Sequence, residues 1–355
     1  MSRVVEIEPE RVKQDVNLFQ SAFWAHFKQE QGYETQVFEI EHRGWKSPLV
    51  LVHRPCAGDS AFGYVPHGPG VAVPQDRQGP FLEFVSEEIR QRLPEACRFL
   101  RYDLPWPSPY GDRDASGGVQ EGPPEPRVRE MRMNFGSRNW NLRKAPTDMH
   151  PPDTVVLELT KTTACILAEM HPKARYGIRS AFRRGIRVEH GERKHLPAWH
   201  ALYLDMTERK GIVAEDLTYF EKLLAAARVH EPDLRLYLAF RGKEPVAGSI
   251  VAFQGETATY LYSASSIPGR RLMASYAVLW KAVMEAKLHG CRWFDLFGIP
   301  STAEPGHPMH GLYRFKTRFG GDIRRLRGCW DYPFDQEQYS FLSFADGYRD
   351  RYHRK

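Results

Sequence analysis

LRLYLAF (234–240), VAGSIVAF (246–253) and TATYLYSAS (257–265) are three short runs rich in apolar, β-branched and aromatic residues, separated by RGKEP and QGE. Runs of this length and composition between turn segments predict an antiparallel meander. Downstream, ASYAVLWKAVMEAKLHG (274–290) carries Tyr276, Leu279, Trp280, Val283 and Leu288 at helical spacing, and Gly290 stands where a C-terminal cap belongs. RWFDLFGI (292–299) then reads as another strand.

Three antiparallel strands, a helix and a strand form the centre of an acetyltransferase-type fold, in which parallel strands splay apart to open a cleft. The same order recurs in the first half. TQVFEIEH (35–42), PLVLVHRP (48–55) and AFGYVPHGP (61–69) make a second meander, PFLEFVSEEIRQRL (80–93) an amphipathic helix, and CRFLRYDLPW (97–106) its closing strand. The fold class expected is therefore α+β, with two tandem acetyltransferase-like (GNAT) domains over 1–150 and 151–328. A segment over 329–355 is expected to pack back on the first domain. PWPSPYGDRDASGGVQEGPPEPRVRE (105–130) is dense in Pro, Gly and charge, which marks an exposed loop over about 107–130. TVVLEL (154–159) opens the second domain, and TTACILAEMHPKARYGIRSAFRRG (162–185) follows as helices interrupted near Pro172.

With 355 residues, 42% of them hydrophobic, the chain has material for two cores and is not a disordered polymer. The N-terminus lacks the apolar run of a signal peptide, and no stretch approaches bilayer-spanning length, so a cytoplasmic protein is expected. Cys56, Cys97, Cys165, Cys291 and Cys329 are scattered, without a CxxC pair, which argues against a disulfide framework or a zinc site. No metal and no cofactor is expected. A net charge of +6 favours polyanionic partners.

FQSAFWAHFKQEQGY (19–33), FGYVPHGPGV (62–71), RYDLPW (101–106), HPKARYGIRSAFRRG (171–185), LYLDMTERKG (202–211), YLYSASS (260–266) and GLYRFKTRFGG (311–321) lie in order along nearly the whole chain. In their order and spacing they resemble the Fem family of peptidoglycan aminoacyl transferases. That family moves an amino acid from aminoacyl-tRNA to the stem-peptide amine of UDP-MurNAc-pentapeptide or lipid II. The resemblance is to a branch without the coiled-coil arm, because LPAWHALYLDMTERKG (196–211) and LTYFEKLLAAARVHEP (217–232) leave no room for sustained heptads. It implies aminoacyl-tRNA and a wall precursor as partners, no stable protein partner, and room for peripheral contact with the inner membrane face.

The resemblance also implies roles. Lys316 matches the family's functional lysine, a cation that would stabilise the oxyanion or the departing ribose oxygen. Asp103 matches an aspartate near the acceptor, fit to hold an ammonium or take its proton. Lys28, Arg209 and Tyr262 match precursor-binding positions, with Tyr260 the neighbouring alternative to Tyr262. Bland readings stand beside these: Arg314, Lys316 and Arg318 alternate as on a solvated strand face, Lys28 is an ordinary surface lysine, and Asp103 is a turn residue. Strand alternation puts Tyr260 and Tyr262 on one face, so one of them is expected to be packing. Arg175, Arg179 and Arg183 recur every four residues, a stripe suited to tRNA phosphates or a pyrophosphate and equally to a solvated basic face.

Three alternatives remain open. An acyl-CoA acetyltransferase would want a glycine-rich turn where PGRRLMASYAVLW (268–280) has Met273, Ala274 and Ser275. A protein N-terminal aminoacyl transferase would use the same donor. A noncatalytic RNA- or precursor-binding protein would not need Lys316.

Overall fold

The computed structural model describes residues 2–13, 16–42, 44–110, 123–227 and 232–348. They fall into two compact units, one running to Pro152 and resuming at Arg325, the other spanning Asp153–Arg324.

The first unit opens with β1 (Arg3–Glu6) and α1 (Ala22–Glu30), whose first turn is capped by the Ser21 hydroxyl accepting from the Trp24 amide. The meander is β2 (Thr35–His42), β3 (Trp45–Pro55) and β4 (Ala61–Val65). Next come α2 (Gln78–Arg90), β5 (Cys97–Pro107), α3 (Pro126–Met133) and β6 (Arg143–Lys144). Much of the exposed loop expected over about 107–130 lies outside the described residues, and its end is the start of α3, where Pro126 fits the first helical turn.

The second unit comprises β7 (Thr154–Glu158), α4 (Thr163–Glu169), α5 (Pro172–Arg183), β8 (Ile186–Gly191), α6 (Leu196–Lys210) and α7 (Leu217–Ala226). It continues with the meander β9 (Asp233–Arg241), β10 (Glu244–Gln254) and β11 (Thr257–Ser265). Last are α8 (Ile267–Arg271), α9 (Ala274–Leu288), β12 (Trp293–Asp295), α10 (His310–Thr317) and β13 (Asp322–Arg324). The interruption near Pro172 falls between α4 and α5, with Pro172 in the first turn and His171 capping it. The chain then returns to the first unit as β14 (Leu326–Pro333) and α11 (Gln336–Tyr348).

Each unit has a seven-stranded sheet, β1-β2-β3-β4-β5-β14-β6 and β8-β9-β10-β11-β12-β7-β13. In each, the meander is antiparallel and its last strand pairs parallel with the next, β4 with β5 and β11 with β12. Matched through those parallel pairs, β14 holds in the first sheet the place that β7 holds in the second. Both run antiparallel to the closing strand. The first unit's core is built on Phe38, Leu49, Leu51, Leu82, Val85, Leu100, Tyr102, Trp330 and Tyr332. The second is built on Val155, Leu157, Tyr237, Val251, Val278, Leu279, Val283 and Phe294.

Candidate active site

In the second unit the parallel pairing runs Thr257–Trp293, Ala258–Phe294, Thr259–Asp295 and then stops, while β11 continues to Ser265. Beyond that point Leu296 and Ile299 donate instead to Val155 O at 2.8 Å and Asp153 O at 2.7 Å, so the chain after β12 keeps to the β7 side and leaves β11 without a parallel partner there. Asp295 closes β12: its Oδ1 accepts from the Thr154 hydroxyl and from the Phe297 amide at 2.8 Å. Phe297 takes φ 56°, a left-handed turn that exposes its carbonyl and that of Gly298 to one donor.

That donor is Lys316. GLYRFKTRFGG does not form the strand that the bland reading supposed: its first seven residues belong to helix α10, in which Phe315 packs inward beside Lys316 and Arg314 faces solvent, and Phe319 packs inward just past the helix end. The helical period, not the alternation of charges, decides which residue is buried. Lys316 is only 5% exposed, and its Nζ donates to Phe297 O at 2.7 Å and Gly298 O at 2.9 Å. Burial pulls its pKa down to about 7, and the nearby Asp295 charge resists only part of that pull. The amine is therefore poised to hold or lose a proton near neutrality.

The tyrosines part company. β11 pairs Tyr262 with Ile250 and Tyr260 with Val251, so Leu261 is an extra residue bulged out of the ladder. Residues paired across antiparallel strands share a face, and Ile250 and Val251 face opposite ways. The expectation that Tyr260 and Tyr262 share a face is thus overturned by a β-bulge. Tyr260 is 3% exposed in the core under α9, and burial raises its pKa to about 12. Tyr262 lies against α7, its ring edge-on to Phe220 and its hydroxyl 2.7 Å from that of Tyr219. Burial raises the pKa of both hydroxyls, so the pair stays protonated and can donate.

Arg209, near the end of α6, is held by Asp205 at 3.1 Å and donates to Ser265 O, the last residue of β11, at 2.6 Å. Its buried Nε has no acceptor among the described residues. Of the arginine stripe on α5, Arg175 folds back onto the carbonyls of Leu167, Ala168 and Met170, where it caps the end of α4. Arg179 and Arg183 face solvent beside Lys173 and Tyr176. Gly269 lies under β10, where an added Cβ would run into the Val246 carbonyl. Its smallness thus serves close packing rather than a pyrophosphate loop.

In the first unit, Asp103 follows the last parallel pair, Val65–Tyr102, and is 3% exposed. Its Oδ2 lies 3.2 Å from the Tyr64 hydroxyl, 3.4 Å from His150 Nδ1 and 3.7 Å from His67 Nε2. Burial works to raise the carboxyl's pKa, but His67, His150 and Tyr64 outweigh it and hold the value low, so the group is a carboxylate. Sequence reading did not single out His67, His150 or Tyr64; 67 and 64 sit inside FGYVPHGPGV, but nothing local links them to position 150. Lys28 is half-buried, with Nζ 4.8 Å from the centroid of Trp24 and 5.0 Å from that of Phe27, an aromatic seat that fixes the cation on α1.

Among the described residues no helix is long and apolar enough to cross a membrane. The solved structure of FemX shares the fold, with a TM-score of 0.74 at 16% identity over 96% of this chain and 100% of that one. A tandem GNAT protein from the clavulanic acid biosynthesis pathway matches with a TM-score of 0.50 at 12% identity, covering 94% of this chain and 98% of its own. In sequence, the chain is 30% identical over 292 residues to the UDP-N-acetylmuramoylpentapeptide-lysine N(6)-alanyltransferase of Weissella viridescens, covering 80% of this chain and 79% of that relative. It is 20% identical over 271 residues to a lipid II:glycine glycyltransferase of Staphylococcus saprophyticus, covering 59% of this chain and 65% of that one. The profile of the FemAB family matches residues 10–240 and 237–346, and the chain belongs to that family.

Proposed function

We propose that this protein transfers an aminoacyl group from aminoacyl-tRNA to the stem-peptide amine of a peptidoglycan precursor, the step that builds an interpeptide bridge. The reaction would run on the cytoplasmic side, where charged tRNA is made. The observation that carries the reading is Lys316, a buried lysine with pKa near 7 at the end of the parallel strand pair, in a FemAB chain whose alanyl- and glycyl-transferring relatives act on such precursors.

The neutral acceptor amine attacks the ester carbonyl. A C–N bond forms, the C–O bond to the tRNA ribose breaks, and the amine proton leaves as the ribose oxygen gains one. No protein nucleophile is required. Charged Lys316 stabilises the oxyanion or the departing ribose oxygen, an effect worth roughly 3–4 kcal/mol for one well-placed donor. Asp103 holds the acceptor as its ammonium before the proton is shed. Lys28, Arg209 and the Tyr262 hydroxyl bind the precursor, and Arg179 and Arg183 meet tRNA phosphate, with Arg175 bracing the helix that presents them.

The test supplies a charged tRNA pool carrying radiolabelled amino acids to purified UDP-MurNAc-pentapeptide and to lipid II, with RNase-treated controls. RNase-sensitive labelling of one precursor is the expected result, and Lys316→Met should lower turnover by about 100-fold or more while precursor binding persists. Labelling of acceptor peptides alone, or of nothing, overturns the reading. The two precursor arms separate a soluble from a lipid-linked acceptor.

A further inference from the structure

Three ligand-bearing side chains of the first unit converge from separate places in the chain: His67 beyond β4, Asp103 in β5 and His150 after β6. Their donor atoms lie within 4.8 Å of one another. We propose that His67, Asp103 and His150 form a binding site for a divalent cation of the zinc class.

The spacing is that of ligands around a metal rather than of a closed hydrogen-bond triad. Two donor atoms about 2.0–2.1 Å from a tetrahedral ion stand roughly 3.3 Å apart. The separations from Asp103 Oδ2 are 3.4 Å to His150 Nδ1 and 3.7 Å to His67 Nε2, the latter beyond a hydrogen bond. The two histidine donors lie within 4.8 Å of each other, so the rings draw together around an ion to complete the set.

Charge points the same way. The Asp103 carboxylate is buried, and among the described residues its ion-pair partners are the two imidazoles, with no lysine or arginine in reach. A buried carboxylate is ordinarily answered by a cation, paired or coordinated, and the two side chains that meet this one are both able to ligate a metal. Two imidazole nitrogens and one carboxylate oxygen suit zinc, cobalt or nickel, not magnesium or calcium, which prefer oxygen donors.

The surroundings hold the donors in place and leave a way in. Phe19 stacks on His67 with centroids 4.6 Å apart and planes 19° apart, and lies 6.0 Å from the His150 ring. The Tyr64 hydroxyl, 3.2 Å from both Asp103 Oδ2 and His150 Nδ1, can steady the carboxylate or close a fourth position. His67 occupies the left-handed region at φ 43°, a conformation a non-glycine residue keeps only where its surroundings hold it. The His150 side chain is one-third exposed, so an ion can enter from solvent.

The experiment titrates Co2+ into chelator-treated, untagged protein and follows the visible d–d bands that four- or five-coordinate cobalt displays. One equivalent is expected to bind, with bands that Zn2+ abolishes. His67→Phe and His150→Phe should each weaken binding at least tenfold, in the range seen on losing groups around a metal site, while His190→Phe, a solvent-facing histidine of the second unit, should not. X-ray absorption of the cobalt-loaded wild type supplies a readout independent of the variants' folding: two imidazoles at the metal are expected. No bands, bands indifferent to both variants, or fewer than two imidazoles overturns the site. No donor or acceptor is present in this test, so its failure leaves the transfer reading intact, whereas an ion on Asp103 Oδ2 takes that oxygen from the acceptor ammonium and leaves the Lys316 part of the transfer reading untouched.

Discussion

At the residue scale, the burial that tunes Lys316 also burdens the fold. In the unfolded chain its amine has the ordinary pKa of 10.5, and in the folded protein about 7. Between those values the unfolded state binds the extra proton, so this group's contribution to stability rises with pH from about 7 to about 10.5 and is at its least below 7. The full swing is of order 4–5 kcal/mol at about 1.36 kcal/mol per pKa unit. Lys316→Met removes the titration. Measured by urea unfolding, the variant's stability relative to wild type should be more favourable at pH 6 than at pH 10, by several kcal/mol; a pH-independent difference would contradict the burial argument. In transfer assays the cationic role predicts that wild-type kcat/KM falls as pH rises through about 7 on account of Lys316. Lys316→Arg, which stays charged, should lose that limb while keeping measurable activity.

At the element scale, close backbone approach is what glycine supplies where α2 begins. A Cβ on Gly79 would fall on the Met133 carbonyl at the end of α3, a rigid backbone atom that cannot step aside. Gly79→Ala should therefore destabilise the first unit by about 2 kcal/mol or more, read as a lowered unfolding midpoint. By contrast Gly311, at the exposed start of α10 with open space where a Cβ would stand, should accept alanine with little change. Such elements were legible in the sequence to different depths. The meanders and the long helices follow from periodicity, because each shows one face to a core. The sequence of 311–321 misled, since Arg314, Lys316 and Arg318 alternate like a strand while Leu312, Phe315 and Phe319 keep the helical period. The bulge at Leu261 was not legible at all: a single extra residue in a ladder is set by its partner strand, not by its own letters. His67 and His150 escaped for a related reason, as the backbone that brings them to Asp103 is folded by contacts far along the chain.

At the scale of the whole molecule, the first unit cannot be completed by the first half of the sequence. β14, which lies between β5 and β6, arrives only after the second unit has been made, whereas its counterpart β7 precedes the strands it joins. The bond that seals it is wholly buried: Arg101 of β5 donates through Nε and a terminal nitrogen to both oxygens of Asp331, at 2.8 Å each, and Tyr339 of α11 donates to the same carboxylate at 2.8 Å. Both charges are fully desolvated, so removing one leaves the other stranded at a cost of about 3–5 kcal/mol, while replacing both with apolar residues of like volume can be far milder. Asp331→Leu alone should therefore lower stability sharply, and Arg101→Met with Asp331→Leu should recover much of the loss. Equal losses in the single and double variants would show the damage to be one of packing, not charge. A chain ended after Arg324 goes further, because it strips β5 of a neighbour, leaves β6 unpaired and removes Trp330 and Tyr332 from the core. Limited proteolysis of that truncated chain should find 153–324 protected and the first unit cut. A first unit that stayed resistant would mean that β14 finishes a sheet already stable without it.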